Sequence, residues 1–182
     1  MLEEEGVRLD RDEVVDGDDL EVSALILESA EEVAALRVFM REWEQAGTQE
    51  FDRLQRPLLC DYVEFLLLTG MRHGTEAMGI CWQHIEWHTD KGVRYLRIWV
   101  DGKTGGRWLI AKHRAVEVLK RLHASQQDIA HIPFEQLFEQ QLDVRVFRAA
   151  DGTTFTRLDS TWNNLMRDSG LVSIGPNFAK ST

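Results

Sequence analysis

The stretch RYLRIWVDGKTGGRWLIA, residues 94–111, decides the fold class of this chain. Its flanks, RYLRIWV (94–100) and RWLIA (107–111), are short runs rich in β-branched, aromatic and aliphatic residues. Between them DGKTGG carries the Gly pairs of hairpin chemistry. Around this hairpin the period lengthens. On the C-terminal side KHRAVEVLKRLHAS places Val116, Leu119 and Leu122 on one helical stripe. On the N-terminal side PLLCDYVEFLLLTG, opened by Pro57, is apolar on most sides and predicts a buried helix that Gly70 stops in a left-handed turn. Before it SAEEVAALRVFMREWEQAG spaces Val33, Leu36, Met40 and Trp43 helically, with Ser29 and Glu32 as a capping box and Gly47 just beyond the end.

Beyond the hairpin helix, residues 125–158 suggest a short helix around FEQLFEQQL, a strand around VRVF and a turn at ADGTT. Asp159 or Ser160 is placed to cap a last helix, STWNNLMRDSG, ended by Gly170. The order is helix, helix, short helix, hairpin, helix, irregular segment, helix. That is an α+β class: a mainly helical domain with a small antiparallel sheet.

Composition fits one substantial globular core: 182 residues, 43% hydrophobic, six Trp and eight Phe. No run approaches the ~18 consecutive apolar residues of a membrane span. The opening MLEEEGVRLDRDE is the opposite of a signal peptide. Cys60 and Cys81 lie in or beside apolar runs without CxxC spacing. They read as small buried residues of a reducing, cytoplasmic protein, a disulfide between them being possible but unfavoured. Net charge is −10, but unevenly spread. Residues 1–52 hold 17 acids against 4 Lys/Arg (−13), and residues 53–182 hold 14 against 17 (+3). The acid is confined to one end, so the total does not exclude a nucleic-acid partner. Residues 1–22 read as an acidic tail or linker remnant, and 23–182 as the folded domain.

The segment LLLTGMRHGTEAMGICW, residues 66–82, poses the functional question. A guanidinium next to apolar helices must meet an acid, backbone carbonyls or a ligand anion. Arg72 has two readings: a salt bridge to Glu76, or a planar charged fork offered to a phosphodiester at a Gly-flanked turn. TGMR, Glu76, the Ala77-Met78-Gly79 turn, Trp82 and Ile85 resemble the first conserved box of the tyrosine recombinase, or phage integrase, family. Three residues separate Arg72 from Glu76 where that family commonly has two. The hairpin is similar to the family's lysine-bearing hairpin, with Lys103 on the lysine's position, 31 residues after Arg72. RLDSTWNNLMRDSGL looks like the helix before the family's second box, so the resemblance covers about residues 24–172.

The resemblance implies site-specific DNA recombination and integration by strand cleavage and rejoining. Arg72 would bind the scissile phosphate, Lys103 would act as general acid, and Glu76 would orient the arginine or its helix. It also implies duplex DNA as partner, a tetramer on paired duplexes, and no metal or nucleotide cofactor. The family's His-x-x-Arg motif and nucleophilic tyrosine have no counterpart after Gly170, and neither Tyr62 nor Tyr95 occupies the nucleophile's place. The expectation is therefore an incomplete, inactive catalytic-domain piece. Backbone-contact candidates are Arg72, Lys103, Arg107, Lys112 and Arg114, the basic helix run also including His113, Lys120 and Arg121. That run is equally an ordinary solvated face.

His84, Glu86 and His88 alternate as a strand-borne metal set would, with His73 and Cys81 as further ligands, but HIEWH is not HExxH. Trp43, Trp82 and Trp162 lie at apolar helix positions and read as core. Trp99 and Trp108 read as a cross-strand pair. The alternatives to a recombinase are a non-catalytic DNA-binding or regulatory remnant, and an unrelated α+β interaction domain.

Overall fold

The computed structural model describes residues 30–102, 105–111, 113–155 and 158–170. Helices α1 (Ala30–Trp43), α2 (Glu50–Thr69) and the single turn α3 (Thr75–Met78) lead into strands β1 (Ile85–Asp90), β2 (Val93–Gly102) and β3 (Gly105–Ala111). Helix α4 (His113–Ser125), the short α5 (Phe134–Leu137) and α6 (Asp159–Ser169) follow. The class is α+β, with one three-stranded antiparallel sheet in the order β1-β2-β3. The hairpin expected over 94–111 is present, and β1 joins it as a third strand through a tight turn at Lys91 and Gly92.

Strand alternation sorts the sheet into two faces. Ile85, Leu96, Ile98 and Val100 point inward and are at most 2% exposed. Glu86 opposite Arg97, His88 opposite Tyr95 and Trp99 opposite Trp108 lie on the other face. The Trp99 and Trp108 rings meet edge to face at 5.2 Å, and the Arg97 guanidinium lies 4.2 Å over Trp108. Such a pair stabilises a hairpin by about 0.5–1.5 kcal/mol beyond its buried area.

Helix α2 runs through the middle, packed on α1, α4, α6 and β3. Leu58, Leu59, Tyr62, Val63 and Phe65 are buried along it. Its C-terminus follows the sequence signal: Gly70 sits at φ +66° and donates its N–H to Leu66 O at 2.9 Å. Its N-terminus does not. Pro57 lies inside the helix, which begins seven residues earlier at Glu50. Proline removes one backbone donor and tends to end a helix. Here tertiary contacts hold the preceding turn: Arg56 stacks 4.4 Å over Trp43 and donates to Trp43 O at 3.1 Å, while buried Gln55 accepts from the Thr161 hydroxyl of α6. Pro57 itself is exposed.

Two other expectations change. VRVF forms no strand of the sheet. Residues 142–146 run beside residues 80–83 instead, with Trp82 N–H donated to Val144 O and Val146 N–H to Ile80 O. Phe147 then drops into the core against Tyr62 and Phe65. At α6 the cap position is Leu158, with no side-chain cap bond; its apolar side chain is 3% exposed, and burial takes the place of capping. The Ser29 capping residue lies outside the described residues.

Trp82 is fully buried, and its Nε1–H donates to Gln126 Oε1 at 3.1 Å. That oxygen also accepts from Arg148 Nε, while Arg148 Nη2 forks onto the Asp128 carboxylate at 2.7 and 2.9 Å. The buried guanidinium is thus met directly by a half-exposed carboxylate and, on its Nε, by a buried amide, as a buried charge requires. Trp43 is 4% exposed and donates to Asp168 of α6 at 2.9 Å, and Trp162 packs at the core's edge. Both cysteines are free and buried; burial pushes the Cys60 thiol up to about 12, which leaves it unreactive. No helix among the described residues is long and apolar enough to cross a membrane.

Candidate functional site

Arg72 stands on a turn between two anchored ends. Thr69 closes α2 with its hydroxyl donated to Phe65 O at 2.8 Å and accepting the Met71 N–H at 3.3 Å. Met71 then plugs the core, 5% exposed. Two residues past Arg72, Gly74 takes φ +86° and ψ −135°, a conformation that a side chain would strain, and α3 starts there. Arg72 between them is exposed. Among the described residues it makes no hydrogen bond and no ion pair.

The salt bridge considered for Arg72 does not form, because Glu76 has another partner. Arg107 of β3 donates to both carboxylate oxygens of Glu76, at 2.6 and 3.3 Å. The Glu76 side chain is only 4% exposed and that of Arg107 35%. Gly102 makes room for this contact: a Cβ there would lie 2.9 Å from Glu76 Oε2. The carboxylate therefore fastens α3 to β3, close beside Gly102 at the end of β2. Lys103 and Lys112 lie outside the described residues.

Arg114 is exposed but spoken for, its Nη2 3.3 Å from Glu64 of α2. Arg121 pairs likewise with Asp61, and Lys120 with Glu117 at 3.0 Å. The basic run on α4 is thus largely matched by acids, most of them on α2, which sequence spacing does not reveal. Sequence reading missed Arg145. It is exposed, and its Nη1 reaches Met78 O at 3.3 Å, at the far end of α3 from Arg72. Its only signal was a place in the irregular segment.

Behind the Arg72 turn lies a cavity of about 200 Å³ between α2 and the start of α6. Its walls are mostly apolar, and its polar groups are Tyr62, His73 and Asp159. The Tyr62 hydroxyl is 2.9 Å from His73 Nδ1 and accepts the Gly74 N–H at 3.3 Å. Burial pushes the Tyr62 phenol up to about 12. Burial also lowers the His73 pKa below its ordinary 6.5, with Asp159 opposing. A depressed histidine stabilises the fold fully above that ordinary value, and the contribution is lost as pH falls toward the depressed one. Wild-type melting temperature is expected to drop more than that of His73→Gln between about pH 7 and about pH 5, measured by calorimetry.

The metal-like alternation at 84–88 is otherwise engaged. His84 Nδ1 accepts the Cys81 N–H at 3.1 Å, Glu86 pairs with Arg97, and His88 packs on Tyr95 at 5.3 Å. Among the described residues no three potential ligands converge as a metal site needs. No family model, no curated protein and no solved structure matches the chain.

Proposed function

We propose that this chain is a DNA-binding domain of the tyrosine recombinase type, in which Arg72 grips a backbone phosphate. The observation that carries the reading is the exposed guanidinium, without a partner among the described residues, at a turn anchored on both sides. The acid expected to neutralise it is committed to Arg107 instead. A planar fork in that position suits two phosphate oxygens. Glu76 serves by holding the hairpin against α3, and the role of general acid stays with Lys103 as the resemblance implies. Arg145, at the other end of α3, offers a second cation for a neighbouring phosphate. Arg107 and Arg114 contribute less, since each already has a carboxylate. In the parent reaction, site-specific recombination of duplex DNA, these groups bind and protonate but do not attack.

A salt titration with duplex DNA tests the reading. Binding driven by phosphate neutralisation weakens linearly on a logarithmic salt scale, with a slope of about −0.9 per phosphate contacted. Undetectable binding at low salt would instead favour an α+β interaction domain. The exposed Trp99, Trp108 and Ile110 on the outer sheet face are the observation that speaks for that second reading.

Neither tyrosine is offered as a nucleophile. Tyr62 is 2% exposed with its hydroxyl engaged on both sides, and Tyr95 packs on His88 within the sheet. Incubation with duplex DNA is expected to leave no covalent adduct on a denaturing gel. An adduct mapped to Tyr62 or Tyr95 would contradict this assignment.

A further inference from the structure

We infer that Tyr62, on the helix that leads into the turn, is the positioning residue of Arg72: its buried hydroxyl holds the two residues that follow the arginine. The inference rests on the reading of Arg72 as the phosphate ligand. Arg72 has no partner among the described residues to hold its guanidinium, so whatever fixes the turn fixes the reach of the side chain. On one side the anchor is Met71 in the core. On the other it is a single oxygen. Gly74 N–H donates to the Tyr62 hydroxyl at 3.3 Å, and the same group lies 2.9 Å from His73 Nδ1. With the imidazole neutral, the phenol proton is donated to Nδ1, and both the donor and the acceptor capacity of the hydroxyl are used.

The oxygen itself has little freedom. The Tyr62 ring stands edge-on to Phe147 at 4.9 Å and 90°, and Phe147 is 1% exposed and packed on Phe65. The turn is therefore referenced to the most buried part of the domain rather than to a surface contact. Asp159 of α6 is the other ionisable group lining the same cavity. It faces the pair without a hydrogen bond to either, so the hydroxyl and the imidazole answer to each other. A tyrosine used only for packing would leave its oxygen at the surface or on a single backbone group. Here it spans two consecutive residues of the loop that carries Arg72.

Tyr62→Phe removes the hydroxyl and keeps the ring, so it separates positioning from packing. The full chain is compared as wild type, Tyr62→Phe, Arg72→Ala and the double variant, by amide hydrogen exchange at Gly74 and by affinity for a short duplex at fixed low salt. Tyr62→Phe is expected to speed Gly74 exchange about tenfold and weaken duplex binding about three- to tenfold, the loss of one hydrogen bond's worth of order. In the Arg72→Ala background it is expected to weaken binding no further. Unchanged exchange at Gly74, or an equal loss of affinity with and without Arg72, overturns the inference. Wild-type affinity in Arg72→Ala sinks the phosphate reading instead, and the exchange result still decides whether Tyr62 holds the turn. Should Tyr62→Phe fail to fold, His73→Ala breaks the His73 half of the bridge and leaves the Gly74 bond. A smaller loss of affinity is then expected that again disappears in the Arg72→Ala background; a loss that persists there overturns the inference.

Discussion

Arg72→Ala is expected to weaken duplex binding by about tenfold or more at low salt and to flatten the salt dependence by about one unit of slope, with no change in melting temperature. The affinity loss follows from one charge-assisted contact, about 1.5–3 kcal/mol, and about 1.4 kcal/mol is a factor of ten. The unchanged stability follows from the geometry. Arg72 is exposed and has no partner among the described residues, so its removal strands no acid and opens no cavity. Arg114→Ala is the internal control. Its guanidinium is already 3.3 Å from Glu64, and a phosphate would have to compete with that carboxylate. Its effect on affinity should be several-fold smaller. Equal affinities for wild type and Arg72→Ala in a fluorescence-anisotropy titration would end the phosphate-ligand reading, however well the fold is preserved.

The second large effect concerns stability and is asymmetric. Arg107→Ala is expected to cost about 3 kcal/mol in urea unfolding, and Glu76→Ala only about 1–2 kcal/mol. The two variants break the same ion pair, but they leave different remnants. Without Arg107 the Glu76 carboxylate, 4% exposed beneath the hairpin, remains as a charge out of water with its partner gone. Without Glu76 the Arg107 head, 35% exposed, can turn to solvent. Because Glu76 is the fastening between α3 and the hairpin, Arg107→Ala should also loosen amide protection at the ends of β2 and β3 ahead of the rest of the sheet. Equal costs for the two variants, both under about 1 kcal/mol, would mean that the contact holds nothing in place.

Both predictions turn on a pairing that sequence reasoning considered differently. Arg72 and Glu76 are four residues apart around a turn, and an Arg–Glu bridge at that spacing is the ordinary expectation. What defeats it is Gly74, whose left-handed φ starts α3 in a new direction, together with Gly102, whose missing side chain opens the space that the carboxylate enters. The partner that fills the role comes from 31 residues further on. The α4 basic run behaves the same way: its cations meet Glu64 and Asp61, fifty to sixty residues earlier. Local pattern ranks these arginines together as candidate contacts, whereas the fold separates Arg72, without a partner among the described residues, from those already matched.

Elements whose cause is local were legible without coordinates. The hairpin follows from alternating runs around DGKTGG, the ends of α2 and α6 from Gly70 and Gly170 at positive φ, and the Trp99–Trp108 pair from strand register. Each depends on backbone preferences within a few residues, so the information sits where the structure forms. Pro57 inside α2, the bare Leu158 cap, Glu76 on Arg107 and the Tyr62 bridge to His73 and Gly74 were decided only in three dimensions. In those cases burial and long-range partners outweigh local propensity. Such energies depend on which elements pack together, a matter that spacing along the chain does not encode.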